Sequence, residues 1–186
     1  MGHLEMLGMR MLSNSHVILE KGKARIVLAG VTDLSARRHS APPPDLAAAI
    51  RGAPANTPIL LLDHQPMMAE KAAASGVVLQ LSGHTHGGMV LGLDRLIARA
   101  NGGFVSGRYQ VGAMTLYVNN GTALWPGFAI RLGVPSELTR ITLRAKTKRE
   151  QVHDPARQAR LFKDQLIANG SGHSWSPSGA MSLPKA

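Results

Sequence analysis

Two histidines stand one residue apart in a glycine-rich stretch, GHTHGG, which covers residues 83–88. Imidazole nitrogens are common protein ligands for zinc, iron and similar ions. In extended backbone, the side chains of His84 and His86 would point to the same side, with their Cβ atoms about 6.5 Å apart. Because the ions of two-metal hydrolytic sites lie about 3.5–4 Å apart, this spacing predicts that each imidazole reaches a different metal ion.

A third histidine, His64, ends the apolar run PILLLDH, and a second apolar run, VVLQLS, leads into His84. Ligands of α/β proteins bind at the carboxyl ends of the sheet strands, so we expect the two imidazoles to lie side by side at one sheet edge. The alternative interpretation is that a His-x-His pair in a glycine-rich turn is only a surface loop. The remaining histidines lack such a setting and are assigned to the surface or the tail: His3, His16, His39, His153 and His173.

Three glycines and two aspartates surround these histidines in the sequence. Gly83, Gly87 and Gly88 permit backbone angles denied to other residues and would leave space for a substrate close to the main chain. Asp63 adjoins a histidine on a predicted strand, where neighbours point to opposite faces, so we expect it to cap a turn or to orient a ligand through a hydrogen bond. Asp33 follows another predicted strand, and a role in a turn or helix cap is the commoner use of such an aspartate.

The elements that position these residues follow from hydrophobic patterning. Apolar-rich runs at 16–19 and 25–31 flank a Lys-Gly-Lys turn and predict a hairpin. Strand and helix then alternate through the middle of the chain, which is the order of an α/β layer with parallel strands. The individual predictions are helices in 44–52 and 66–76, strands in 58–64 and 77–82, two strands around a tight turn in 107–121, a late strand in 137–144, and a helix in 154–170.

The composition bounds the class of protein. The chain has 186 residues, of which 44% are hydrophobic, enough for one domain or part of a larger one. It has no cysteine, which excludes thiolate nucleophiles and cysteine-bound zinc. The net charge of +10 favours anionic partners, but only 4% of the residues are aromatic, so nucleic acid is an unfavoured partner. No apolar run approaches the ~18 residues that cross a bilayer.

The runs LLLDHQP and GVVLQLSGHTHGG together resemble the C-terminal half of the calcineurin-like metallophosphoesterases. Within that superfamily the chain looks most similar to a bacterial membrane-linked branch, whose members act on phosphodiesters or lipid-linked phosphoesters. Residues 7–33 and 106–143 also resemble the family, so the likeness covers about residues 4–145. It implies an α/β fold, the C-terminal part of a two-sheet α/β/β/α sandwich lacking its N-terminal half.

The resemblance implies a dinuclear site in which His64 and His84 bind one ion and His86 binds the other. A hydroxide held between the ions would attack phosphorus in line, with the ions lowering the pKa of water and offsetting charge on the phosphate oxygens. Manganese, iron or zinc would serve, with two ions in the complete family site. The substrate implied is a phosphoester.

The family takes its other ligands from Asp-x-His, Gly-Asp-x-x-Asp and Gly-Asn-His motifs in its N-terminal half, and none of these occurs here. Three imidazoles carry no negative charge to offset two divalent ions, so this chain is expected to bind at most one. We therefore expect a truncated product, a start assigned too late, or a split protein. The alternative to phosphoester hydrolysis is an inactive fragment that binds one metal ion or an anion. Met89 also stands where the family has glutamine, which bears on substrate contacts.

These expectations divide the chain into a partial metallophosphoesterase domain (1–145), a basic helical extension (146–170) and a disordered tail (171–186). The extension has two interpretations: an amphipathic helix on a membrane or nucleic acid, or a helix packed on the domain or left in solvent. Further expected partners are the missing N-terminal half and a membrane surface. The compartment stays open, because no membrane segment or signal peptide is visible in the sequence.

Overall fold

The computed structural model of the chain describes residues 2–124 and 130–144, which form one mixed sheet with short helices. The six strands of this part are β1 Ser15–Lys21, β2 Ala24–Gly30, β3 Ile59–Leu62, β4 Val77–Ser82, β5 Gly107–Val111 and β6 Met114–Val118. Its α-helices are α1 Gly2–Met6, α2 Leu46–Ile50, α3 Ala69–Ala74 and α4 Asp94–Ala100, and short 3-10 helices cover Ala36–His39, Pro66–Met68 and His86–Gly88.

The sheet has the strand order β1-β2-β3-β4-β6-β5. Antiparallel hairpins, β1–β2 and β5–β6, form its two ends, and β2, β3, β4 and β6 run parallel between them. The predicted hairpins and the predicted α/β order are confirmed. Because the central strands are parallel, the residues that follow β3, β4 and β6 all lie at one edge of the sheet.

Two helices cover one face of the sheet. The Asp45 side chain caps α2 by accepting a hydrogen bond from the backbone N–H of Ala48 at 2.9 Å. Pro66 opens the turn that leads into α3, a position that needs no backbone donor. The side chains of α2 and α3 pack on a strip of strand residues to form the buried core, whose members include Ala29, Leu46, Ala49, Leu61, Ala69, Ala72 and Leu116.

The opposite face of the sheet carries apolar side chains that are less covered. Leu28, Leu79 and Leu81 are half-buried on this face, and Leu62 is 38% exposed. A short, continuous apolar run such as PILLLDH is typical of a parallel strand covered on both faces. In the part of the chain that the structure describes, helices pack closely against one face only.

The predicted late strand in 137–144 is wrong, since these residues form no strand. Their alternation of apolar and polar residues does not bury the apolar ones: Leu138 is 92% exposed. The segment is instead held by polar contacts, with Glu137 N–H bonded to Gly121 O at 2.9 Å and Tyr117 OH bonded to the Glu137 carboxylate. Alternation predicts a strand only where a neighbouring strand offers backbone hydrogen bonds, and the backbone bond of this segment goes to the loop residue Gly121.

The predicted helix in 154–170 and the tail in 171–186 lie outside the described residues, as does the boundary at 145–146. None of the helices in the described part is long and apolar enough to span a bilayer.

Candidate metal centre

The ends of β3 and β4 bring two imidazoles together at the sheet edge. Backbone hydrogen bonds continue past both strands, from Asp63 N–H to Leu81 O at 3.1 Å and from Gly83 N–H to His64 O at 3.0 Å. This pairing keeps the segments that follow β3 and β4 in register up to the histidines. His64 and His84 therefore leave adjacent parallel strands at the same level.

The two imidazoles face each other through nitrogen atoms, with His64 Nε2 3.3 Å from His84 Nδ1. The rings meet nearly edge to face, with centroids 5.1 Å apart and an interplanar angle of 80°. Two nitrogens that each lie about 2.1 Å from one ion at a tetrahedral angle are about 3.4 Å apart. The observed separation is compatible with two ligands of a single ion and is also within hydrogen-bond distance. Both rings are exposed.

The protonation state also suits metal binding. Burial of the imidazole lowers the pKa of His84, and the neighbouring charge of His64 lowers it further, against the opposing effect of Asp33. Neutral imidazole is the form that binds a metal ion. The lowered pKa therefore favours the neutral form of His84.

A cavity of about 620 Å³ opens in front of this pair. Its lining comes from three loops at the sheet edge: Asp33, Leu34, Ser35 and Arg38 from the first, His64, Gln65 and Met67 from the second, and His84 from the third. Asp33 accepts hydrogen bonds from the backbone N–H and hydroxyl of Ser35 and from Gln65 Nε2, so it has the turn role that its sequence position favours. It also places one carboxylate in the same cavity as the two histidines.

His86 lies in a different environment from the other two histidines. The expected extended backbone is wrong, because His84 and His86 have φ angles of 70° and 50° in the left-handed region. His86 begins a 3-10 helix and is half-buried, and its Nδ1 lies 3.4 Å from Nη2 of Arg131. Its metal-binding role stays a prediction, and residues 2–124 and 130–144 hold no cluster of three histidine or acidic side chains placed to hold a metal ion.

Arg131 is a site residue that the sequence did not reveal. Its guanidinium donates to the carbonyl oxygens of His86, Asn120 and Ala123, at 3.2, 2.8 and 2.8 Å. These contacts join the histidine turn to the loop after β6. The sequence could not predict these contacts, because Arg131 lies 45 residues after His86 and no local pattern shows which carbonyl groups an arginine binds.

Asp63 faces away from the imidazole pair. Its side chain is 4% exposed and is approached by Gln80 Nε2 at 3.5 Å, whereas the adjacent His64 is exposed. Burial raises the pKa of Asp63 to about 7. The two neighbours thus point to different sides, as alternation along a strand predicts.

The glycines of the motif differ in what surrounds them. A Cβ on Gly83 would meet only Asn119 O, at an ordinary contact distance of 3.7 Å. A Cβ on Gly87 would lie 2.5 Å from Asn120 Oδ1, and one on Gly88 would lie 2.8 Å from Asp94 Cα. Space was expected there for a substrate, but beside Gly87 and Gly88 it is filled by the chain itself.

Comparison with known proteins identifies relatives of the chain, although no family model matches it. A transmembrane protein with metallophosphoesterase domain from Danio rerio is 37% identical over 149 residues, which are 76% of this chain and 34% of that protein. Its counterpart from Bos taurus is 39% identical over 125 residues, 64% of this chain and 28% of that protein. An uncharacterized metallophosphoesterase of Campylobacter jejuni is 37% identical over 122 residues, 65% of this chain and 32% of that protein.

The chain spans about a third of the length of these curated relatives. Their names agree with the expected family, which implies divalent metal ions and a phosphoester substrate. The mixed six-strand sheet is compatible with part of a metallophosphoesterase domain, with His64 and His84 following the carboxyl ends of its parallel strands β3 and β4. On these grounds the chain belongs to the metallophosphoesterases.

Proposed function

We propose that this chain supplies one pair of metal ligands to a site that hydrolyses phosphoesters. His64 and His84 would hold a divalent ion, manganese, iron or zinc, through Nε2 and Nδ1. The observation that carries the proposal is the 3.3 Å separation of these two nitrogens at the ends of adjacent parallel strands.

A bound ion would supply Lewis-acid chemistry, by making bound water acidic and offsetting phosphate charge. The chain's own residues do the positioning. β3 and β4 fix the two imidazoles, and Arg131 engages Nδ1 of His86, so that Nε2 is the nitrogen left for a second ion. The remaining ligands of a two-ion site would come from residues outside this sequence, and alone the chain would bind at most one ion.

The second candidate function is an inactive fragment that binds one metal ion or an anion. The observation that favours it is the lack of a third histidine or acidic ligand placed beside the pair in the described residues. Both candidates share the same His64–His84 pair, and they differ in whether hydrolysis follows binding.

The proposed partners are the rest of the catalytic domain and a membrane surface. α4 follows the histidine turn closely. Leu91, just before α4, is 78% exposed, and Leu96, within α4, is 64% exposed. Arg95 and Arg99 are exposed on the same helix. Exposed leucines beside arginines suit an interface with anionic lipid, and two of the relatives are named as transmembrane proteins.

Calorimetric titration of Mn²⁺ into the chain tests the proposal. The expected result is one ion per chain, with His64→Ala and His84→Ala each weakening binding by about tenfold or more, because each removes a direct ligand. The matched control is His39→Ala, which removes an exposed histidine outside the cavity. Equal binding by all the variants would contradict the assignment.

Hydrolysis of bis-p-nitrophenyl phosphate with added Mn²⁺ separates the two candidates. A rate that disappears in His84→Ala and persists in His39→Ala supports a hydrolytic site in this chain. Binding of one ion without turnover, both by the chain alone and after the rest of the catalytic domain is added, supports the inactive fragment.

A further inference from the structure

Arg38 places a cation on the wall of the cavity that contains His64 and His84. It belongs to the 3-10 helix Ala36–His39, and its side chain is exposed. Among the described residues the single ion pair joins Arg25 to Glu20, so no carboxylate of this part neutralises Arg38. Its guanidinium is free to meet a ligand in the cavity.

The turn that carries Arg38 is tied to the turn that carries His64. Asp33 holds the first turn by accepting a hydrogen bond from Ser35 N–H at 2.7 Å. Gln65 Nε2 donates to both carboxylate oxygens of Asp33 at 3.2 Å, and Gln65 directly follows the histidine. These hydrogen bonds hold the turn that precedes Arg38 next to the residue that follows His64, and they engage both oxygens of the Asp33 carboxylate.

We propose that Arg38 binds the phosphoryl oxygens of a phosphoester in the cavity beside the imidazole pair. A guanidinium presents a planar fork of N–H groups that matches two phosphate oxygens at once, which a point charge does not. The inference rests on the proposed function and adds to it the side chain that recognises the anion. Phosphate would then contact protein as well as metal.

The chain offers a matched control in Arg37, the preceding residue of the same 3-10 helix. Arg37 is exposed as Arg38 is, but it does not line the cavity. The two arginines carry the same charge and stand in the same element. Any difference between their variants therefore reports the position in the cavity and not the net charge.

Equilibrium dialysis of radiolabelled inorganic phosphate against the full chain tests the proposal, at constant ionic strength and with or without Mn²⁺. Arg38→Ala is expected to weaken phosphate binding by about tenfold, the loss of one charge-assisted contact. Arg37→Ala is expected to change it by less than about twofold, because surface charges at a distance are screened. Arg38→Lys is expected to recover part of the loss, since it restores the charge without the fork.

Measuring Mn²⁺ binding as well as phosphate binding distinguishes the role of Arg38 from the metal-binding role of His64 and His84. Arg38→Ala is expected to bind Mn²⁺ as the unaltered chain does. If the unaltered chain binds no Mn²⁺, the metal assignment fails, while the metal-free arm still compares the two arginines. Equal losses in Arg37→Ala and Arg38→Ala, an unchanged affinity in Arg38→Ala, or no phosphate binding in either arm would each overturn the role of Arg38.

Discussion

At the scale of single residues, the candidate site depends on polar contacts that hold loops in place. Arg131 bonds to carbonyl groups of the histidine turn and of the loop after β6, including His86 O and Asn120 O. Each such bond has a charged donor, and a hydrogen bond of that kind contributes about 1.5–3 kcal/mol to the free energy of unfolding. The arginine is therefore expected to stabilise the folded chain as well as to position His86.

Arg131→Ala is expected to lower the free energy of unfolding by about 2 kcal/mol, because several carbonyl groups lose a charged donor. Urea titration monitored by circular dichroism measures the change. Arg108→Ala removes an exposed arginine of β5 and is expected to stay within about 0.5 kcal/mol of the unaltered chain. Similar stability in the two variants would show that the Arg131 contacts do not hold the loops.

The sequence predicted that His64 and His84 lie side by side, but it did not predict the surroundings of His86. Parallel strands of known direction fix what lies at their ends, so motif residues next to β3 and β4 could be placed from patterning alone. His86 lies beyond the strand, where two positive φ angles redirect the chain. Its partner Arg131 is separated from it by 45 residues, and no local pattern links the two.

At the scale of elements, the histidine turn is shaped by close packing of its glycines. Gly87 has φ of 68°, and a Cβ there would lie 2.5 Å from Asn120 Oδ1 and 2.6 Å from Val134 Cγ1. The backbone angle favours glycine here, and the close approach of the neighbouring loops leaves no room for a Cβ. The short 3-10 helix His86–Gly88 keeps its position only while both conditions hold.

Gly87→Ala is expected to destabilise the chain by about 1–3 kcal/mol more than Gly92→Ala, because inserting a methyl group into packed surroundings costs about that much. Gly92 also has a positive φ, of 97°, but no atom lies within 4 Å of the position of its Cβ. The pair therefore separates packing from backbone strain. Midpoints of urea unfolding that coincide for the two variants would mean that Asn120 and Val134 do not press on this turn.

The pattern of apolar residues predicted the hairpins, the parallel strands and the two helices on the core face. Each of these elements has turn or cap residues next to a regular run of apolar residues. It failed for residues 137–144, whose alternation meets loop residues instead of a strand. It also missed α4 Asp94–Ala100, which has no buried residue and therefore no apolar stripe facing a core.

At the scale of the whole molecule, the described sheet has one face packed by helices and one that is partly open. Leu62 is 38% exposed on the open face, beside the half-buried Leu28, Leu79 and Leu81. Contiguous apolar surface of this kind marks a place where another layer or partner packs. The aligned residues make up only 34% and 28% of the relatives' length, and a second layer from the rest of such a protein is what we propose for this face.

The isolated chain is expected to bind the dye ANS, which reports exposed apolar surface. Leu62→Asp is expected to lower the fluorescence at least about twofold, because it places a charge in the middle of the open face. Leu138→Asp is the control, since Leu138 is 92% exposed outside the sheet and a lone surface leucine forms no patch. Equal fluorescence from the two variants would argue against an apolar sheet face.

Anomalous diffraction at the zinc edge, from crystals of the chain soaked in Zn²⁺, tests whether His64 and His84 are ligands of one metal ion. We expect one strong peak about 2.0–2.1 Å from both His64 Nε2 and His84 Nδ1. A map with no peak between these nitrogens, or with peaks only at other histidines, would contradict it.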